Sequence, residues 1–237
     1  MDIRVDFTIN REVNDMKDIK LGLKLITYGL QFKTMATMFA VFAGFGIILE
    51  LFASETMGNM GGIYLVITGT YIFQSVITSS IATSIAASAS KRNLQTKLPV
   101  LFSSTLMLVF YTLFVVLRTV RLSLGTYDAE TIKAGYVAFV SVALLGLMIQ
   151  IYNGFAYKFY IPSLIIMLVV MIPLMVLGMR GEVLGGGIPF SNNWAYVILG
   201  YVLLIVGSLI SYLITILLFK YEIDPKAYRS ALTRAGR

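Results

Sequence analysis

The stretch Leu98–Leu117, LPVLFSSTLMLVFYTLFVVL, is 20 residues long and contains no charged side chain. A helix of about 20 apolar residues is long enough to cross the roughly 30 Å hydrocarbon core of a bilayer. Lys97 precedes this stretch and Arg118 follows it, so charges lie at both of its ends. The stretch therefore predicts a membrane-spanning helix.

Five further stretches have a similar length and character, and the whole set predicts an all-α, polytopic membrane protein with six transmembrane helices. The six are Thr34–Ala53, Gly61–Ala82, Leu98–Leu117, Ala134–Tyr152, Tyr160–Met179 and Trp194–Phe219. Of the 237 residues, 58% are hydrophobic and only 13% are charged, too few to cover the surface of a soluble domain. We expect an N-terminal segment at 1–33, a transmembrane domain at 34–219 and a short tail at 220–237.

The positions of the basic residues predict the orientation of the chain. The segments 1–33, 83–97, 153–159 and 220–237 hold 6, 3, 1 and 5 of the 19 Lys and Arg residues. Because cytoplasmic segments of membrane proteins are enriched in Lys and Arg, we expect both termini to be cytoplasmic and the protein to lie in the cell membrane. The least typical segment is the predicted outer loop 118–133, which contains Arg118, Arg121 and Lys133.

The N-terminal segment contains an amphipathic pattern. Met16, Ile19, Leu23, Ile26 and Leu30 recur at steps of three and four residues, and polar or basic residues fill most of the other side. We expect an amphipathic helix that lies in the membrane interface. The alternative is a soluble helix packed on another cytoplasmic part.

The residue types argue against an enzyme. The chain has no Cys and no His, which excludes disulfides, thiolate nucleophiles and Cys/His metal sites. The phosphate-binding pattern GxxxxGK[ST] is also absent, so we expect no cofactor on this chain. Polar residues inside spans are functional candidates, and here they are Glu50, Gln74 and Gln150. We favour interfacial exposure for Glu50 and interhelical hydrogen bonds for the two glutamines.

Two segments near the predicted inner side have two interpretations each. Between Thr78 and Ser90 most residues are small, with Ser80, Ser84 and Ser88 every four residues. This pattern favours tight helix packing, or else a subunit interface or the lining of a substrate route. The basic segment Ser88–Pro99 is either a loop that sets orientation or a docking helix for a cytoplasmic partner.

This layout resembles the permease subunit of an ABC-2 type (type V) ABC exporter, which has a cytoplasmic N-terminus, an amphipathic elbow helix, six spans and a cytoplasmic C-terminus. Val13–Gln31 matches the elbow helix, and Ser88–Lys97 matches the helix that couples the family's permeases to an ATPase. The resemblance implies coupling residues at Ser90, Lys91, Arg92, Asn93, Gln95 and Lys97. It also implies route or interface residues at Gln74, Ser80, Ser84, Ser88 and Pro173, where the proline kinks the fifth span.

The implied partners are a cytoplasmic ABC ATPase subunit that binds ATP and Mg, a second permease chain, and membrane lipid, with no nucleic acid. The implied substrate is a hydrophobic or amphipathic peptide, drug or lipid. One departure from the family is the segment Arg180–Asn193, whose 14 residues leave room for a short hairpin at most. Other hypotheses are a substrate-binding membrane subunit of an uptake transporter, and a scaffold or immunity protein without transport activity.

Overall fold

The computed structural model describes part of the chain, and the following account concerns that part. The described residues are 19–20, 22–24, 32–52, 59–80, 91–156, 158–159, 162, 165, 168–169 and 193–221. The predicted roles of Ser84, Ser88, Ser90 and Pro173 fall outside them, as does most of the fifth predicted span, Tyr160–Met179.

The described chain is helical, and no strand occurs within these ranges. Six helices have both bounds within the described ranges: α1 (Phe32–Phe52), α2 (Met60–Ser80), α3 (Lys91–Gln95), α4 (Lys97–Leu124), α5 (Ala129–Ala156) and α6 (Trp194–Leu218). Residues 19–20 and 22–24 are helical too.

Four helical stretches among the described residues are long and apolar enough to cross a membrane: Met60–Ile77, Lys91–Leu124, Ala129–Ala156 and Trp194–Leu218. The apolar part of α1, Ala36–Phe52, is shorter. The prediction of an all-α, membrane-embedded protein is therefore confirmed. The number of six spans and the interfacial helix before the first span stay predictions.

The predicted outer loop 118–133 is mostly helical, which is a correction to the sequence analysis. Helix α4 continues past Leu117 to Leu124, and α5 already begins at Ala129. Asp128 caps α5, because its Oδ1 accepts a hydrogen bond of 3.1 Å from the Thr131 amide. Only the short turn 125–128 thus separates two long helices.

The long helices pack side by side around one apolar core. Helix α2 contacts α1 and α4, and α5 has its most extensive contact with α6. The core contains Leu65 and Val66 from α2, Tyr111 from α4, Phe139 from α5 and Leu204 from α6, all with at most a trace of exposure. We name the two ends of this helix bundle by their residues. The α3 end is where Lys91–Gln95 lies, and the Glu50 end is where α1 ends and α2 begins.

Candidate functional site

Helix α3 is attached to the bundle by one of its faces. Leu94 is fully buried and packs with Val76 of α2 and Leu98 of α4. Gln95 is 2% exposed, and its Nε2 donates a 3.5 Å hydrogen bond to the Ser80 carbonyl. Because apolar contact and hydrogen bonding both act on this face, α3 is held against the ends of α2 and α4.

A third long helix contacts the same region. Thr215 of α6 is fully buried; its hydroxyl donates to the Tyr212 carbonyl of its own helix at 2.8 Å, and its Oγ1 lies 3.5 Å from the Thr96 carbonyl. The Thr96 hydroxyl in turn donates to the Arg92 carbonyl at 2.7 Å. The end of α3 is thereby linked to α6 as well as to α2 and α4.

The opposite face of α3 carries positive charge. Arg92 is exposed, while Lys91, Asn93 and Lys97 are half-buried. Among the residues predicted to contact an ATPase, the structure separates Arg92, which faces outward, from Gln95, which faces the bundle. Gln95 is therefore positioned to fix the helix rather than to touch a partner.

The described residues of the N-terminal segment, 19–20 and 22–24, lie against the same end of the bundle. Ile19 packs on the cluster formed by Val76, Leu94 and Leu98. A Cβ atom on Gly22 would lie 2.9 Å from the Phe102 ring, so the backbone approaches α4 closely there. This contact brings the described part of the predicted elbow helix to the α3 end.

The predicted route or interface residues that the structure describes, Gln74 and Ser80, differ in their exposure. Gln74 is exposed on α2. Ser80 is fully buried, and its Oγ donates a 2.7 Å hydrogen bond to the Ile77 carbonyl of the preceding turn. Of the two, only Gln74 presents a polar group on the surface of the helix bundle.

A cluster of buried charges lies at the Glu50 end. Glu50 is 1% exposed and Arg118 is 8% exposed. Arg118 Nε donates to Glu50 Oε1 at 2.5 Å and its second terminal nitrogen donates to Glu50 Oε2 at 3.1 Å, which makes a bidentate ion pair. The predicted interfacial exposure of Glu50 and the loop position of Arg118 are thus wrong.

Neighbouring groups complete the ion pair. Arg118 Nη1 donates to Asn59 Oδ1 at 2.7 Å, and Arg121 donates to the Glu50 carbonyl at 3.2 Å. The Arg118 guanidinium also lies 4.9 Å from the centre of the Phe114 ring. The cluster connects α1, the start of α2, and α4. Because both oxygens of the Glu50 carboxylate already accept from the Arg118 guanidinium, we interpret the cluster as a structural contact that holds these helices together.

One sequence signal for this pair existed. Glu50 and Arg118 carry opposite charges and lie near the same membrane depth, one close to the end of the first predicted span and the other just after the third. Ionisable groups within membranes generally pair with one another. The hydropathy pattern alone assigned Arg118 to a loop, which concealed the pair.

Gln150, the other polar residue predicted inside a span, is 2% exposed on α5. Neither its Nε2 nor its Oε1 has a hydrogen-bond partner in the described part of the chain, so the predicted interhelical hydrogen bond is absent there. Gln74 and Gln150 consequently differ in environment, one at the surface of the bundle and the other between two helices.

Comparison of the chain with protein-family models, with characterised proteins and with solved structures finds no match. The described helices and their composition define the class to which the protein belongs: an all-helical protein embedded in a membrane.

Proposed function

We propose that this protein is the membrane-spanning permease subunit of an ABC exporter, which moves a hydrophobic or amphipathic substrate outward. A separate cytoplasmic ATPase subunit would bind ATP and Mg and hydrolyse the nucleotide. The observation that carries the proposal is α3, a short basic helix attached by its other face to the ends of three long helices.

A coupling element must transmit force from a partner to the membrane helices. The buried Leu94 side chain and the hydrogen bond from Gln95 to Ser80 connect α3 to α2 and α4. The contact between Thr215 and the Thr96 carbonyl adds α6. Because packed interiors are close to incompressible, a push on the Arg92 face would displace these helices together instead of bending a loop.

The charge of α3 indicates the kind of surface it would contact. Lys91 and Arg92 are adjacent, and Arg92 is exposed to solvent at the edge of the bundle. Acidic side chains on the ATPase would complement them and direct the orientation of docking. We place this end in the cytoplasm because the segments predicted to lie there contain most of the basic residues of the chain.

The exposed amide of Gln74 favours a second permease chain. A primary amide that faces hydrocarbon without a partner costs several kcal/mol, about 4–8 on a cyclohexane scale. A glutamine both donates and accepts, so two copies of Gln74 from neighbouring chains can satisfy each other. A pair of permeases would give the substrate a route between them.

The proposal is tested by placing a photo-activated cross-linking amino acid at Arg92 in the intact membrane protein. We expect irradiation to yield a covalent product with an ABC ATPase, identified by mass spectrometry. Replacing Lys91 and Arg92 together by Glu should abolish co-purification of this ATPase.

Lys133→Glu, at an exposed position on the Glu50 end, is the matched control and should leave co-purification unchanged. Gln95 is left intact because it is buried and its loss would disturb α3 itself. If position 92 forms no product with any ATPase, or if the double replacement retains the partner, the proposal is wrong.

A further inference from the structure

The interface between α5 and α6 changes character along its length. Towards the Glu50 end it is apolar, with Val140 and Ala143 of α5 buried, as are Tyr196 and Leu204 of α6. Towards the α3 end the residues of the interface are small or polar. There Gln150 and Gly154 of α5 lie opposite Gly207 and Ser211 of α6. Asn153 is buried beside Gly154 on α5, and we call these five residues the polar seam.

The polar seam contains hydrogen-bonding groups that no described residue satisfies. Gln150 and Asn153 are each 2% exposed and lie about one helical turn apart on α5. Both amide atoms of Gln150 and the Nδ2 of Asn153 are buried without a partner. An unsatisfied buried polar group costs about 1–3 kcal/mol, so three of them together call for a partner outside the chain.

The geometry aims the Gln150 amide into the interface. A Cβ atom on Gly207 would collide with Gln150 Oε1, which shows that this amide points at α6. A Cβ on Gly154 would lie 3.4 Å from the Ser211 carbonyl, so the two backbones approach each other one turn further on.

The chemistry of the seam restricts what could bind. Residues 134–156 and 194–218 contain no Asp, Glu, Lys or Arg. Lys158, beyond the end of α5, donates its Nζ to the Tyr221 carbonyl. A neutral ligand is therefore favoured over an ion, and it has to donate to one amide oxygen and accept from two amide nitrogens.

We propose that the polar seam is a water-binding site, in which water bridges Gln150 and Asn153 to α6 beside Ser211. Buried water in proteins typically makes about three hydrogen bonds to groups that would otherwise be unsatisfied, which matches the three unpartnered atoms. The inference does not use the proposed transport activity, so either can fail without the other.

Exchange of a cysteine thiol hydrogen for deuterium tests this proposal, because the chain has no native Cys and the exchange needs only water. In open membrane fragments placed in D₂O we expect the infrared S–H stretch of Ser211→Cys to disappear at least tenfold faster than that of two controls. Ala143→Cys reports the apolar half of the same interface, and Leu209→Cys, at a site 58% exposed, reports a surface that faces hydrocarbon.

Replacing Gln150 and Asn153 by Leu in the Ser211→Cys protein should remove the water and lower the rate at least tenfold. Gel-filtration elution checks that each variant is folded. Exchange in Ser211→Cys as slow as that in Ala143→Cys would overturn the proposal, since the seam would then be dry.

Radiolytic footprinting of the unmodified protein provides a second measurement that needs no variant. Bound water is converted to hydroxyl radical in place and oxidises adjacent side chains. Leu147, which contacts Gly207 in the seam, should be oxidised several-fold faster than Leu203, which is also half-buried but packs against the apolar part of the interface. Equal oxidation of the two leucines would contradict a water site.

Discussion

At the scale of single residues, the ion pair between Glu50 and Arg118 explains how charged side chains are accommodated at the edge of the membrane. Each charge alone would be costly in hydrocarbon. Together they form two hydrogen bonds, and Asn59 accepts a further one from Arg118. The pair therefore permits α4 to remain helical as far as Leu124.

We predict that breaking this pair is far more harmful than removing it. Arg118→Leu should lower the free energy of unfolding in mixed micelles by about 3–5 kcal/mol, because Glu50 is left as an uncompensated buried charge. The double variant Glu50→Leu/Arg118→Leu should recover most of that loss. Arg121→Leu, on the same helix but half-buried, is the control and should cost about 1 kcal/mol. Equal losses in Arg118→Leu and Arg121→Leu would argue against a buried pair.

A second residue-scale prediction concerns pH. Hydrogen bonds from Thr131 hold the pKa of Asp128 below its ordinary value of 3.8, so the charged carboxylate is the form that caps α5. A carboxyl whose pKa is lowered by folding stabilises the folded state at every pH above its ordinary pKa. This stabilisation is lost as the pH falls through the pKa of the folded state. We expect hydrogen exchange in the first turn of α5 to accelerate as the pH falls below 3.8, since the pKa of the folded state lies under that value.

In Asp128→Asn the cap should persist without this pH dependence, because asparagine is also a good N-cap and does not titrate. Exchange rates in the native protein and in Asp128→Asn that change in parallel with pH would assign the effect to another group.

The sequence predicted which polar residues matter better than it predicted their surroundings. Glu50, Gln74 and Gln150 were singled out because polar groups are rare at depth. Their environments depend on residues far along the chain: the partner of Glu50 is 68 positions away. The opposite charges of Glu50 and Arg118 favour a pair, but composition and spacing do not determine which helices contact one another, so the exposure of each group could not be predicted.

At the scale of helices, α1 and α2 approach closely at the Glu50 end. A Cβ atom on Gly61 would lie 2.7 Å from Glu50 Oε2 and 2.9 Å from the Gly46 carbonyl. Both distances are shorter than van der Waals contact. Any residue larger than glycine at position 61 would therefore displace the neighbouring helix. The close approach keeps the ion pair and the start of α2 together.

Gly61→Ala should therefore destabilise the protein by about 1–3 kcal/mol through overpacking. Gly44→Ala is a matched control on the adjacent helix, because a Cβ there meets nothing within 4 Å. It should be neutral or slightly stabilising, since alanine favours helix. Thermal unfolding of both variants in the same detergent measures the difference. Similar unfolding temperatures for the two would contradict tight packing at Gly61.

Helix boundaries show where the hydropathy pattern was sufficient. The start of α6 at Trp194 and the approximate limits of α2 agree with the predicted spans. The ends of α4 and α5 do not agree, because both helices continue into polar sequence, one through an arginine paired with Glu50 and the other from the Asp128 cap. Hydropathy locates apolar runs and has no means of recognising a charge that is neutralised or a helix that is capped.

At the scale of the whole molecule, the two ends of the bundle should lie on opposite sides of the membrane. α4 extends over 28 residues, about 42 Å of helix, between Lys97 and Leu124. We predict that Arg92→Cys is labelled by a membrane-impermeant maleimide from the cytoplasmic side only. Ser123→Cys, exposed near the other end of α4, should be labelled from the outer side only. Labelling of both variants from one side would exclude a membrane-spanning α4.

The long separation between Glu50 and Arg118 has a consequence for biosynthesis. A ribosome synthesises the chain from its N-terminus, so α1 and α2 reach the translocation channel before Arg118 has been added to the chain. During that interval the carboxyl group lacks its counter-ion, and release into lipid is opposed until α4 arrives. Nascent fragments that terminate before residue 118 should accordingly be retained by insertion machinery or degraded, whereas those that include α4 can be released.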